Sequence, residues 1–174
     1  ILYHALAEKY PESYDPAVPD DLVYSGSREL LAEVPGTGLT VGELILSPTR
    51  TYAPLVAKLL KEMRPAIHGL IHCTGGAQTK VMNFVTNKHI IKDHLLPVPP
   101  LFQMIAEESG ADAAELYQVF NMGHRLEAYL PAELAEEAIA VARHFNIDAQ
   151  IIGRVEASEE NRLTLVTPFG TVER

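Results

Sequence analysis

Apolar residues along the chain fall into short blocks, and the spacing within a block switches between a helical and an extended period. Over 52–63, Leu55, Val56, Leu59, Leu60 and Met63 form a stripe at helical spacing. Thr51 stands ready to cap that helix, and Pro54 sits in its first turn, where a missing N–H costs little. The run IHGLIHC at 67–73 reads as a buried strand, and Thr74-Gly75-Gly76 then opens a helix reaching residue 85. A strand at 88–92 is followed by a stiff connector containing Pro97, Pro99 and Pro100. Helices are predicted at 101–108 and 111–120, the second capped by Asp112. A strand at 124–130, a helix at 132–145 and a strand at 149–155 come next. A hairpin, 162–166 and 171–173, turns at Pro168-Phe169-Gly170 and closes the chain. Upstream, ELIL at 43–46 reads as a short strand ended by Ser47-Pro48.

Two stretches, 67–92 and 124–155, thus read strand–helix–strand. With the closing hairpin, this predicts an α+β domain with a mixed β-sheet covered by helices. Residues 1–10 carry Leu2, Leu6 and Tyr10 on one helical face with no N-cap before them, as in a helix already under way. The first residue is Ile1, so the expectation is a chain cut from a longer polypeptide, the alternative being a processed mature protein. Pro11, Pro16, Pro19 and Pro35 with Gly26, Gly36 and Gly38 make 11–38 irregular, with a short helical turn near 28–32. Residues 1–38 are therefore a lead-in to one domain spanning 1–174.

Length and composition agree with a single globular domain: 174 residues, 47% hydrophobic and 21% charged. A formal net charge of −9 repels phosphate backbones and argues against nucleic-acid binding. No apolar run approaches the ~18 residues of a membrane span. The single cysteine, Cys73, excludes an internal disulfide and fits a reducing cytoplasm.

The strongest chemical signal is Ile71-His72-Cys73-Thr74-Gly75-Gly76-Ala77. A strand that runs through a glycine pair into a helix exposes backbone amides at the positive end of the helix dipole. That can cradle a phosphate, with the Thr74 hydroxyl alongside; a tight turn holding no ligand has the same sequence. It is not a P-loop, since G-x-x-x-x-G-K-[ST] is absent and Lys80 lies inside the helix. Gly36, Gly38 and Gly42 precede a strand instead of following one, so they are no dinucleotide fingerprint.

Histidines 68, 72, 89, 94 and 124 crowd the centre. His68 and His72 on one strand stand ~13 Å apart, too far to share an ion. No metal site is expected. Cys73 and His72 face opposite sides of their strand, which excludes a nucleophile–base dyad. At Phe120-Asn121-Met122-Gly123, Asn121 or Gly123 can supply a left-handed residue at a helix end. Finally, Ser47 to Tyr52 sets hydroxyls and Arg50 at a helix start, suited to an anion or to plain capping.

Taken in order, Pro48-Thr49-Arg50-Thr51-Tyr52, His68 through His72 to Thr74-Gly75-Gly76, Phe120-Asn121-Met122-Gly123 and Ile152-Gly153-Arg154-Val155 resemble the AIR synthetase (phosphoribosylformylglycinamidine cyclo-ligase) family over about 40–156. The resemblance implies the C-terminal domain of an enzyme of purine biosynthesis. In that family ATP activates the formyl amide oxygen of formylglycinamidine ribonucleotide, the amidine nitrogen attacks, phosphate leaves and the imidazole ring closes. It also implies that ATP and Mg²⁺ are held mainly by an N-terminal domain that dimerises, that the enzyme is cytoplasmic, and that this chain alone is inactive. Thr74, Gly75, Gly76, Asn121 and Gly123, with Arg50 and His72, are the expected substrate- or phosphate-binding residues; no catalytic group is expected within the chain. The alternatives are another ATP-dependent member of the superfamily and a free-standing phosphate or small-molecule module. Two departures stand out: Ala77 replaces a usual third glycine, which should leave the left-handed conformation to Gly75 or Gly76, and His124-Arg125 follow Gly123.

Overall fold

The computed structural model describes residues 17, 19 and 27–174. The expected helix at 1–10 and most of the lead-in lie outside the described residues. From Glu33 on, the lead-in is less irregular than expected: β1 (Glu33–Val34) pairs antiparallel with β2 (Leu39–Thr40).

The segment expected as a strand at 43–46 is instead part of a helix, α1 (Val41–Ile45). The reason is a capping box. The Thr40 hydroxyl accepts from the Glu43 amide, and the Glu43 carboxylate accepts from the Thr40 amide at 2.8 Å. Those reciprocal bonds satisfy two donors at the helix start and outweigh the apolar run ELIL.

α2 (Ala53–Met63) follows as expected, with Leu55, Leu59 and Met63 buried. Its N-cap is Tyr52, without a side-chain bond, and Thr51 reaches only as far as the Ala53 amide at 3.4 Å. A 3-10 turn over Arg64–Ala66 leads into β3 (Gly69–His72). A second 3-10 helix spans Ala77–Asn83, where an α-helix was expected. Then come β4 (Lys88–Lys92), α3 (Pro100–Ser109) and α4 (Ala113–Val119), whose cap is the Asp112 carboxylate on the Glu115 amide at 2.8 Å. β5 (Leu126–Tyr129), a 3-10 turn over Ala132–Leu134, α5 (Ala135–His144) and β6 (Gly153–Ala157) follow. The hairpin β7 (Arg162–Thr167) and β8 (Gly170–Glu173) closes the chain.

The main sheet has the order β6-β4-β7-β8. β4 runs parallel to β7, and the other two pairings are antiparallel, so the sheet is mixed. β3 and β5 pair antiparallel in a sheet of their own. The two strand–helix–strand stretches therefore do not close within one sheet: each sends one strand to the small sheet and one to the large sheet.

β6 begins four residues later than expected, and Gly153 accounts for this. It pairs with Lys92, and a Cβ built there would lie 1.9 Å from the Ile91 carbonyl oxygen. Only glycine permits that approach, so the ladder's register is fixed at this position.

Two apolar clusters hold these elements. One packs Ile71 and Cys73 against Ile90, Met122, Leu163 and Leu165. The other packs Leu55, Leu59 and Met63 of α2 against Val141 and Ala142 of α5. Full burial of each such Leu or Ile contributes roughly 1.5–3 kcal/mol.

Candidate functional site

The end of β3 carries the glycine pair. The Cys73 amide donates to the Arg125 carbonyl at 3.0 Å, so the β3–β5 ladder reaches the edge of the turn. The chain then folds sharply: the Ala77 amide donates to the Thr74 carbonyl at 2.7 Å, and the Thr79 amide and hydroxyl both reach the Gly76 carbonyl. Gly76 has φ +85° and Ala77 φ +41°. The expectation that a left-handed residue must be Gly75 or Gly76 is thus half corrected: Gly76 takes it, but Ala77 takes it as well, held there by the bonds on either side. The Ala77 amide is thus engaged within the turn. The amides of Gly75 and Gly76 have no protein partner among the described residues. Space beside Gly75 is open, since a Cβ there meets nothing within 4 Å.

Lys80, expected to lie within the helix away from the turn, folds back over it. Its Nζ donates to Thr74 Oγ1 at 2.6 Å and to the His72 carbonyl at 3.0 Å. An ammonium has three donors, so one remains for a ligand. Sequence spacing missed this residue. A lysine six positions after the threonine matches no phosphate motif, and only the tight 3-10 winding brings its head back.

The second turn, Asn121-Met122-Gly123, is left-handed at Met122 (φ +50°) and Gly123 (φ +95°), not at Asn121. Asn121 instead holds the turn from its side chain: Oδ1 accepts from the Gly123 amide at 2.9 Å. A Cβ on Gly123 would lie 2.8 Å from both Cδ and Cγ of Pro99, so this glycine also seats the proline connector.

Gln78 joins the two turns. Its Nε2 donates to the Asn121 carbonyl at 3.0 Å. Its Oε1 and its carbonyl both accept from Lys92 Nζ, at 3.1 and 2.8 Å. Lys92 in turn meets Glu127 Oε1 at 2.5 Å, and the Tyr129 hydroxyl donates to Glu127 Oε2 at 2.6 Å. Gln78, Lys92 and Glu127 are all buried.

Thr74, Gly75, Gly76, Asn121 and Gly123 therefore lie in one connected region. His72 ends β3 at its edge, with an exposed side chain and its carbonyl given to Lys80. Arg50 does not join them. Its guanidinium donates to the carbonyls of Phe145 and Asn146 at 2.9 and 2.6 Å, closing the C-terminal end of α5, where the helix dipole favours a cation.

Cys73 is buried, and burial with the nearby Glu127 pushes its thiol up to about 12, which removes it as a nucleophile near neutral pH. His124, 4% exposed, accepts from the Leu96 amide at Nε2 (2.9 Å). That bond fixes the neutral tautomer with the proton on Nδ1, which is buried without a partner. Burial lowers its pKa; the Glu127 carboxylate acts in the opposite sense. A cavity of about 780 Å³ is lined by Gly123, His124 and Arg125 together with Lys92, Glu127 and Tyr129. Among the described residues no three His, Cys, Asp or Glu side chains come together to hold a metal, and no helix is long and apolar enough to cross a membrane.

A family model described as AIR synthase related protein, C-terminal domain, matches residues 22–166. Curated relatives named phosphoribosylformylglycinamidine cyclo-ligase include those of Methanococcus maripaludis and Methanocaldococcus jannaschii, each 33% identical over 123 residues, or 71% of this chain and 35% of the relative. The one from Shouchella clausii is 32% identical over 142 residues, 79% of this chain and 40% of the relative. The chain thus spans little more than a third of the length of these relatives. Among solved structures, E. coli HypE, a hydrogenase maturation protein, superposes with a TM-score of 0.52 at 23% identity, over 78% of this chain and 44% of that one, which is a likeness of fold.

Proposed function

Because the chain belongs to the AIR synthase related family as its C-terminal domain, we propose that it is the C-terminal part of an ATP-dependent cyclo-ligase that converts formylglycinamidine ribonucleotide to aminoimidazole ribonucleotide in purine biosynthesis. The observation that carries this reading is the joining of two glycine turns by Gln78, with the Lys80 ammonium laid over the first. Free amides at Gly75 and Gly76, open space beside Gly75 and a cation with a donor to spare suit a phosphate-bearing substrate. Ring closure by this route needs positioning and charge stabilisation more than a protein nucleophile.

In this reading Thr74, Gly75, Gly76 and Lys80 bind a phosphate through amides, hydroxyl and ammonium. Asn121 and Gly123 form the neighbouring wall, with the His72 side chain at the rim. Arg50, already bonded to two helix carbonyls, is left out. In the same reading ATP and Mg²⁺ are held mainly by an N-terminal domain of the full-length protein. A homodimer, a cytoplasmic setting and inactivity of this chain alone belong to the same proposal.

The experiment is substrate affinity after Gly75→Val in the full-length protein. Gly75 lacks a positive φ and its Cβ direction is open, so the fold should tolerate the change while the bulk blocks a phosphate. Substrate affinity equal to wild type would remove the glycine turn from the binding site.

A further inference from the structure

Lys92 and Glu127 form a buried ion pair whose side chains are 2% and 3% exposed. Desolvating two charges consumes most of their attraction, and apolar residues of the same shape often serve stability as well or better. Stability is therefore a poor account of this pair, and its connections supply a better one.

All three protons of Lys92 Nζ are used: on Glu127 Oε1, Gln78 Oε1 and the Gln78 carbonyl. Glu127 is held from its other oxygen by Tyr129, one strand position further along the same face. Gln78 spends its remaining group, Nε2, on the Asn121 carbonyl. One end of this network is thus the backbone two residues past Gly76. The other end is the backbone of the Asn121-Met122-Gly123 turn. Gln78 itself spans the gap, and Lys92 of β4, held by Glu127 of β5, clamps it from one side at both Oε1 and its carbonyl. No other side-chain hydrogen bond among the described residues connects the two turns directly.

We propose that Lys92, Glu127 and Gln78 are positioning residues that set the separation of the two glycine turns, and so the width of the site that receives the phosphate-bearing substrate. None of them touches that substrate. They act through the Gly76–Ala77 bend on one side and the Asn121 carbonyl on the other. This rests on the cyclo-ligase reading for its substrate, but the geometric part stands without it. A misplacement on the order of 1 Å at such a site can lower turnover by about 10²-fold.

Two variants of the full-length protein test it. Lys92→Met/Glu127→Leu/Tyr129→Phe replaces the buried charges with apolar groups of similar shape. A merely structural pair would be replaced without functional loss. The positioning role instead predicts a folded protein with a thermal midpoint lowered only modestly, since the buried Gln78 Oε1 loses its donor, together with a KM for formylglycinamidine ribonucleotide raised at least tenfold and faster hydrogen exchange in peptides covering 74–80 and 120–124. Gln78→Met, a single change, removes the amide bridge to Asn121 and the Oε1 acceptor of Lys92 while leaving the Lys92–Glu127 pair in place. It should raise exchange in those same two peptides and leave the β7–β8 hairpin as in wild type. A triple variant with wild-type KM, or Gln78→Met with wild-type exchange at both turns, overturns the proposal. If wild-type full-length protein shows no turnover with this substrate, the cyclo-ligase reading fails while the exchange result still decides the coupling of the turns.

Discussion

The ammonium of Lys80 lies 2.6 Å from the hydroxyl of Thr74, six residues earlier, across the glycine pair between them. The protein carries a formal net charge of −9, yet among the described residues this turn presents a cation with no carboxylate bonded to it and two amides without a protein partner. A local positive spot on an acidic surface is what a phosphate group selects.

Lys80→Met should therefore weaken the phosphate-bearing substrate and little else. A hydrogen bond to a charged group is worth about 1.5–3 kcal/mol, so KM for that substrate should rise by roughly tenfold or more. The thermal midpoint should stay near wild type, because Lys80 Nζ bonds at the surface and leaves no buried group unpaired. Steady-state kinetics with a melting curve checks both halves, and an unchanged KM would remove Lys80 from the site.

Gly123→Ala should destabilise the domain by about 1–3 kcal/mol, since a side chain at φ +95° is strained and its Cβ would strike Pro99 at 2.8 Å. Gly153→Ala should do more, because the obstacle is the Ile91 backbone at 1.9 Å and the β4–β6 ladder must part to admit it. Urea unfolding of the two variants checks the order; equal and small effects would contradict the close contacts at both positions.

Much of this fold is legible along the chain where local chemistry and burial agree. The strand at Lys88–Lys92 has its expected ends, with Ile90 and Ile91 buried, and Asp112 caps the helix it precedes. Reading failed where two local signals competed or where the partner was distant. ELIL looks extended until Thr40 and Glu43 are seen as a capping box. The start of β6 depends on Gly153 meeting Ile91, which is 62 positions away and invisible in the apolar pattern. Ala77 takes a positive φ because hydrogen bonds to Thr74 and Gly76 fix the bend around it. In the site, the glycine turns were legible from strand-to-helix punctuation. Arg50 was not, since its partners are carbonyls 95 and 96 residues away, and Gln78, Lys92 and Glu127 carry no local motif at all.

His124 gives a pH prediction. Burial holds it neutral and its pKa below the ordinary 6.5. Below that value the unfolded chain binds a proton that the folded one resists, so this contribution to stability is complete above about pH 6.5 and is lost as pH falls through it. In His124→Gln the side-chain amide oxygen can still accept from the Leu96 amide but cannot titrate. Unfolding midpoints between pH 7.5 and 5 should fall less steeply for this variant than for wild type. Identical slopes would mean that His124 protonates as easily folded as unfolded.

The most direct test of the cyclo-ligase reading is ADP release by the full-length protein with ATP, Mg²⁺ and formylglycinamidine ribonucleotide, with this chain assayed alongside. The reading predicts ADP release that depends on that substrate from the full-length protein, and none from this chain alone. A folded full-length protein that releases no ADP with this substrate would contradict it.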